Sequence, residues 1–357
     1  MDDTQKGEMP VTAKREDLIL ACLRHQDAVR REDIARFLGQ TGQTCSKVTL
    51  LRDLNRLFSL GLVEKSGQGR AVRYSLSRNW AQTQPIDVAT YFSKGADSRP
   101  LRSEYFNFEL FGELQHLLTA DESAEMDALN AGFRLKRDKL SPGLLRKEYE
   151  RLTIELAWKS SKIEGNSYSL LDTEFLLRQN VTAGGKTIDE AMMVLDHKRA
   201  MEHVLSAPEY YKDITVQKIE ELHRLLTEGL HVTSGIRSGM VGITGTNYRP
   251  LDNEFQIRDA MGKLSDMLNG THHAVERALL AVLMVSYIQP FEDGNKRTSR
   301  ILGNALLVSD DYCPLSYSSV EEKEYKKAMI LFYEQNNVSC FKNLFLDQFR
   351  MAVKKYF

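Results

Sequence analysis

Apolar residues recur along this chain in two rhythms, short in the first quarter and long after it. Leu18, Ile19, Cys22 and Leu23 make an i, i+1, i+4, i+5 stripe that predicts a first helix, and Ile34, Ala35 and Leu38 predict a second that closes at Gly39. Ser46 suits the cap of a third, in which Val48, Leu51, Leu54, Leu57 and Phe58 read as one apolar face, with Lys47, Thr49, Arg52 and Arg56 on other sides. Residues 62–66 and 70–76 then alternate about Gly67-Gln68-Gly69, the pattern of a hairpin. Before these elements, residues 1–13 are polar and read as a disordered tail. After them, Trp80, the run Gln82-Thr83-Gln84-Pro85 and the stretch from Gly95 to Pro100 break the periodicity, so 79–100 reads as a linker. From 101 to 357 the period is mainly helical, in segments at about 106–119, 121–137, 142–161, 170–179, 187–206, 215–230 and 258–268, with more through 321–356. No repeat organises them. The fold class is therefore mainly α, with a small α+β domain at 14–78.

One stretch carries chemistry as well as pattern. From Ala278 to Ile288 only Ser286 is clearly polar, which predicts a helix buried all round and far too short to span a membrane. Pro290 stops it and Gly294 permits a tight turn. Asn295 then caps a second helix through Ile301, Leu302, Ala305 and Leu306. Unpaired N–H groups at that helix start, together with Lys296, Arg297 and Arg300, make the loop an anion site of the kind phosphates favour. Asp293 at its edge is the candidate metal ligand, because magnesium takes one or two carboxylates plus phosphate oxygens and water.

Charge and composition add three facts. An apolar share of 42% is ample for a core of this size, and the overall net charge of -1 hides an asymmetry. Residues 14–76 hold twelve Lys/Arg against seven Asp/Glu, a net of +5, and the remainder therefore carries -6. Cys22, Cys45, Cys313 and Cys340 are widely spaced and read as reduced thiols; with no apolar leader before Asp17, a cytoplasmic location and no membrane association are expected. His223, His231, His272 and His273 fall in no metal-ligand spacing and read as core or solvated histidines.

The stretch Gln289-Pro290-Phe291-Glu292-Asp293-Gly294-Asn295-Lys296-Arg297 resembles the signature of the Fic (Fido) family, His-x-Phe-x-Asp/Glu-Gly-Asn-Gly/Lys-Arg, and Arg300 matches the second arginine that often follows. Six of the seven specified positions agree; the departure is Gln289, which stands where the family has its catalytic histidine. The resemblance implies a helical bundle, ATP or ADP with Mg as cofactors, and transfer of AMP to a protein hydroxyl with that histidine as general base. An amide has no protonation change near neutral pH, so Gln289 forfeits a role worth roughly 10²- to 10⁴-fold in rate. Gly294, Asn295, Lys296, Arg297 and Arg300 would still hold the nucleotide.

Two further stretches extend the resemblance. Ser160-Ser161-Lys162-Ile163-Glu164-Gly165, at the end of a helix over about 150–165, is similar to the family's inhibitory motif, which implies that Glu164 pairs with Arg300 and that Ser160 supports it. A glutamate in a last turn opposes the helix dipole by roughly 0.3–1 kcal/mol unless a cation meets it. Residues 235–250 carry glycines and alternating Val241 and Ile243, the pattern of an inserted β-hairpin. The resemblance makes Gly242, Ile243, Thr244 and Gly245 a flap that holds a protein target; a simple surface hairpin is the other reading.

Three helices and a hairpin over 14–78 are similar to winged helix-turn-helix domains, which implies DNA as a partner through residues 46–76. Ser46, Lys47, Thr49, Arg52 and Arg56 would lie on the recognition helix and Arg70 and Arg73 by the wing. Six basic against two acidic residues between 46 and 76 suit a phosphate-facing surface, and dimerisation or protein docking is the alternative use of such a module. Three functions follow: a nucleotide-responsive transcriptional regulator with a degenerate Fic domain, an autoinhibited enzyme that adds or removes AMP, or a scaffold for a homodimer or protein partner. The intact cradle argues against the scaffold, and Gln289 argues against the enzyme.

Overall fold

The structure is a computed structural model and describes residues 15–24, 28–77 and 79–357. The tail read at 1–13 lies outside these residues. The chain divides into two compact units: the first runs to Gln84 and includes Leu118–Asp121, and the second comprises Pro85–Leu117 and Glu122–Phe357.

In the first unit α1 (Arg15–Arg24), β1 (Val29–Arg30), α2 (Arg31–Gln40), α3 (Lys47–Ser59), β2 (Val63–Ser66), β3 (Arg73–Leu76) and α4 (Trp80–Thr83) follow in order. The strands pair antiparallel in the order β1-β3-β2, with Val63 opposite Leu76 and Ser66 opposite Arg73. Leu18, Ile19, Ile34, Leu38, Leu54 and Tyr74 close the core over the sheet. The α3 face departs from the sequence reading. Leu50, Asp53, Leu54 and Leu57 are the buried stripe, whereas Val48, Leu51 and Phe58 are exposed. The reason is Asp53: its carboxylate is neutralised by an ion pair with Arg15, so a position that looks polar lies inside and the helix turns its other aliphatic residues outward.

The second unit continues with α5 (Val88–Tyr91), α6 (Leu110–Glu113), α7 (Ala120–Arg137), α8 (Pro142–Ile163), α9 (Leu170–Gln179), α10 (Ile188–Ser206), α11 (Val216–Thr227), α12 (Glu254–Gly270), α13 (Ala274–Ile288), α14 (Asn295–Ser309), α15 (Glu322–Gln335) and α16 (Ser339–Lys355). Its axis is α13, in which every residue is buried. α14 folds back along it, with Ser286 Oγ donating to Ser299 Oγ at 3.1 Å and Gly303 set against Ala278 and Val282. α8 begins at the Ser141 cap with Pro142 in its first turn and ends at Glu164, where Gly165 takes φ 101°.

Three sequence readings change here, at 106–119, 79–100 and 235–250. The segment 106–119 is helical only at α6, because its polar groups bond elsewhere: Asn107 N–H donates to Tyr287 Oη at 3.1 Å and Leu117 N–H to Glu276 Oε1 at 2.9 Å. The linker read at 79–100 contains α4 and α5, and from Pro85 onward it belongs to the second unit. There Arg99 forms a buried pair with Glu334 at 2.8 Å, and Tyr91 Oη donates to the same carboxylate at 2.8 Å. The C-terminal stretch is two helices, separated at Asn336 in the left-handed region at φ 50°. Residues 235–250 form no paired strands; they run as an extended loop with a turn at Thr244–Gly245, and a lone bridge joins Arg249 to Tyr105. The loop's carbonyls are instead taken by arginines, Gly239 and Leu251 by Arg237 and Gly245 by Arg99.

The α13–α14 contact sets a prediction for stability. A Cβ on Gly303 would stand 2.9 Å from Val282 Cγ2, so Gly303→Ala is expected to cost about 1–3 kcal/mol. Gly262 in α12 has nothing within 4 Å of a Cβ, and Gly262→Ala should instead raise stability by up to about 1 kcal/mol through helix propensity. Thermal unfolding of the two variants, shifting in opposite directions, checks this.

Candidate functional site

The start of α14 is built by one glycine and one asparagine. Gly294 takes φ 80°, and a Cβ there would meet Thr227, Arg297 and His223 at 3.3–3.5 Å, so the turn admits no side chain without strain. Asn295 staples the loop from inside: its Oδ1 accepts from Phe291 N–H at 2.8 Å and its Nδ2 donates to Phe291 O at 2.8 Å and Gln289 Oε1 at 3.1 Å. No side chain caps α14, so its first N–H groups are turned to the loop.

Gln289 ends α13 in the left-handed region at φ 52° and is 7% exposed. Its Nε2 donates to Ser286 O at 2.6 Å while its Oε1 accepts from Asn295, so both ends of the amide are engaged in the helix terminus. Beside it a cavity of about 450 Å³ is lined by Glu164, Gly242, Ile243, Thr244, Asp293, Lys296, Arg297, Tyr325 and Tyr333 among others. It therefore brings together the loop 289–297, the end of α8, α15 and the extended loop 241–244.

Cations and carboxylates meet in this cavity: Lys296, Arg297 and Lys326 face Glu164, Glu292 and Asp293. Arg297 is buried, with Nη2 on Asp293 Oδ2 at 3.0 Å and Nη1 on Leu226 O at 3.3 Å. Asp293 also accepts from Gly294 N–H at 2.6 Å, yet its side chain is 70% exposed, leaving carboxylate lone pairs toward the cavity. Arg300 is fully buried: Nε donates to Ser160 Oγ at 2.8 Å and Nη2 to Ser160 O and Glu164 Oε1, both at 2.9 Å. Lys296 Nζ stands 3.6 Å from the other oxygen of Glu164. Burial raises the Glu164 pKa, but Arg300, Lys296 and Arg297 outweigh it and hold the group below the usual carboxylate range. The helix-terminal glutamate thus has its cation.

Four residues of this site carry no signal in the sequence. His197 accepts the Ser160 hydroxyl at Nε2, 2.7 Å away, and its Nδ1 donates to Met193 O at 2.7 Å, which extends the Arg300–Ser160 contact into α10. Burial, reinforced by Arg297 and Arg300, pushes His197 down to about 3. His223 stacks on Phe291 with centroids 3.8 Å apart and donates from Nε2 to Asp293 O at 3.0 Å; burial lowers it to about 4. Arg237, buried without a carboxylate partner, donates to Gln289 O at 2.6 Å while its N–H donates to Pro290 O at 3.0 Å, fixing the extended loop to the end of α13. Arg99 reaches the loop turn from the other side through Gly245 O.

The basic residues of the first unit are a separate set. Ser46 caps α3, accepting from Thr49 N–H at 3.1 Å, and the two hydroxyls bond at 2.8 Å. Lys47 and Arg52 are exposed and form no ion pair among the described residues; Arg56 instead pairs with Glu16 of α1 at 3.3 Å. Arg73 donates to Ala28 O at 3.2 Å, and the Arg70 side chain lies outside the described residues. Between β2 and β3 lies a 3-10 turn, Gly69–Ala71.

Comparison with known proteins agrees with the helical geometry. Residues 213–307 match the model of the Fic/DOC family. A protein adenylyltransferase Fic from Drosophila melanogaster is 31% identical over 201 residues, 53% of this chain and 40% of that protein. The Drosophila willistoni protein of the same name is 28% identical over 261 residues, 71% of this chain and 51% of its own length. The chain thus spans about half or less of these relatives. Among solved structures, Fic-1 of C. elegans (residues 134–508) superposes with a TM-score of 0.56 at 20% identity, covering 66% of this chain and 70% of that one. A Fic domain-containing signaling protein from Bacteroides thetaiotaomicron gives 0.53 at 21%, covering 64% and 95%. Residues 213–307 are thus similar to the Fic/DOC family, and the chain resembles proteins named protein adenylyltransferases over part of their length.

The two buried histidines fix how stability depends on pH. Each has a folded pKa, about 3 and about 4, below the usual 6.5. Between those values and about 6.5 the unfolded chain binds more protons, so the stabilisation is full above about 6.5 and falls as pH drops toward 4. Denaturant unfolding from pH 7.5 to 4.5 is expected to show this loss, with a shallower slope in His223→Gln.

Proposed function

We propose that the second unit binds an adenine nucleotide, ATP or ADP, in the cavity beside the 289–297 loop and transfers AMP inefficiently. The observation that carries this reading is the state of Gln289. Its amide donates to Ser286 O and accepts from Asn295, and an amide cannot take a proton from an attacking hydroxyl at neutral pH. The binding parts do not depend on that proton. The N–H groups at the start of α14, with the positive end of its dipole, suit phosphate oxygens, and Lys296 and Arg297 supply charge at the same place. Asp293, exposed and with lone pairs to spare, fits magnesium, which would neutralise phosphate charge when bound.

Arg300 is the group that nucleotide phosphates would otherwise engage, and Glu164 with Ser160 occupies it. This pairing favours a second reading, an autoinhibited adenylyltransferase or AMP-removing enzyme acting on a protein hydroxyl presented at Gly242–Gly245. The names of the curated relatives support that reading also. A restraint on Arg300 has little use where phosphate never enters.

For the first unit we propose a winged helix that binds DNA, making the whole chain a nucleotide-responsive transcriptional regulator. Support comes from the order of three helices and a β1-β3-β2 sheet, and from Lys47 and Arg52 standing exposed and unpaired by carboxylates.

Labelled ATP with magnesium separates the two enzymatic readings. The chain as it stands is expected to retain nucleotide and to form covalent AMP slowly at most. Gln289→His combined with Glu164→Gly should label protein at least roughly 10²-fold faster, the weight of a general base. Covalent AMP on the unaltered chain as fast as on the double variant would overturn the first reading in favour of the second. Lack of nucleotide binding in both proteins would sink both.

A further inference from the structure

Resting on the reading of the first unit as a DNA-binding module, we infer that Val48 and Leu51 are specificity residues that read the 5-methyl groups of thymine. The observation is the turn of α3. Its buried stripe is Leu50, Asp53, Leu54 and Leu57, so the opposite stripe, at the same helical spacing, is Val48, Leu51, Arg52 and Asn55, all exposed. Val48 is 80% exposed, the fate of an aliphatic side chain that no part of the first unit needs for its core. These four residues place two aliphatic groups before a guanidinium and an amide along the stripe. From Val48 to Asn55 the stripe rises about 10 Å, which fits within a major groove about 12 Å wide.

The chemistry of the stripe matches what base edges offer there. Thymine alone among the bases presents a methyl group in the major groove, and aliphatic side chains are its ordinary partners; arginine pairs with guanine and asparagine with adenine. The surroundings select the polyanion over an apolar protein partner. Lys47 and Arg52 lack ion pairs among the described residues, and Leu51 borders a recess lined also by Arg30, Arg31, Arg36 and Lys65. Arg31 pairs with Glu32 and Arg36 with Asp33 in that recess, while Arg30 and Lys65 pair with no carboxylate among the described residues. A protein face would have to cover these cations with carboxylates of its own, whereas duplex phosphates flank a groove on both sides. Thymine-containing duplex is therefore the ligand class, with Arg52 and Asn55 placed to select purines beside the methyls.

The test begins with the full chain and a random duplex library at low salt, from which a bound sequence is selected, and then replaces each thymine in it by deoxyuridine. Removing one methyl is equivalent to exposing about one CH₂-sized apolar group, so one or two positions should each weaken binding about 3- to 5-fold. In Val48→Ala or Leu51→Ala the same deoxyuridine duplex should bind no worse than the thymine duplex, while Phe58→Ala, at the far end of the helix, keeps the full methyl effect. Selection of a sequence that tolerates deoxyuridine everywhere would overturn the methyl assignment and leave DNA binding standing. Failure to select or bind any duplex would overturn the DNA reading and this inference together. Loss of self-association in Val48→Ala, seen by sedimentation, would assign the stripe to a protein interface and overturn the inference as well.

Discussion

A guanidinium sealed inside a helical bundle is the constraint on which the second unit depends. Arg300 has no water to solvate it, and a buried charge left alone costs several kcal/mol, so the fold around α14 must bring it a counter-charge and acceptors. The last turn of α8 does both through Glu164 and the two oxygens of Ser160. The requirement reaches further than the pair. Ser160 can accept from Arg300 only if its own proton goes elsewhere, and neutral His197 takes it, so α10 is drawn into the same chain of bonds. A contact that reads as regulatory is also part of what holds three helices in register.

The exchange at residue 289 is intelligible from the same standpoint. That position has two duties, one chemical and one architectural. The architectural duty is to finish α13 in a left-handed conformation and to engage Ser286 O and Asn295 where water is excluded. Glutamine meets it with one donor and one acceptor, so the loop needs no titratable ring to hold its shape. The groups proposed to hold nucleotide and the group that would take a proton are thus different atoms of this site.

What the sequence discloses follows physical lines. The apolar run of α13, the Pro290 stop and the Gly294 turn are local effects, and each is legible because it depends on neighbours in the chain. Glu164 opposite Arg300 was legible too, but only by resemblance, since the two are far apart in sequence. What pattern missed was paid for by partners at a distance: Asp53 lies in the core because of Arg15, and residues 106–119 forgo a long helix because Tyr287 and Glu276 take their backbone groups. Glycines and the alternating Val241 and Ile243 suggest a hairpin at 235–250, whereas carbonyls of Gly239, Gly245 and Leu251 are satisfied by arginine side chains. His197, His223, Arg237 and Arg99 were invisible for one reason. Nothing within a few residues of any of them announces the carbonyl, ring or hydroxyl it serves.

The pair between Arg99 and Glu334 bears on where the folded unit begins. Glu334 is wholly buried in the last turns of α15, and its carboxylate is met by Arg99 and Tyr91, both upstream of residue 101. A fragment trimmed to start at 101 would keep every residue of the signature loop and yet carry an unneutralised carboxylate one residue from Tyr333, which lines the cavity. It would also release the carbonyl of Gly245 at the tip of the extended loop. Pro85, the first residue of the compact unit, is therefore the physical edge of the second unit, and the sixteen or so residues before 101 act as its clasp.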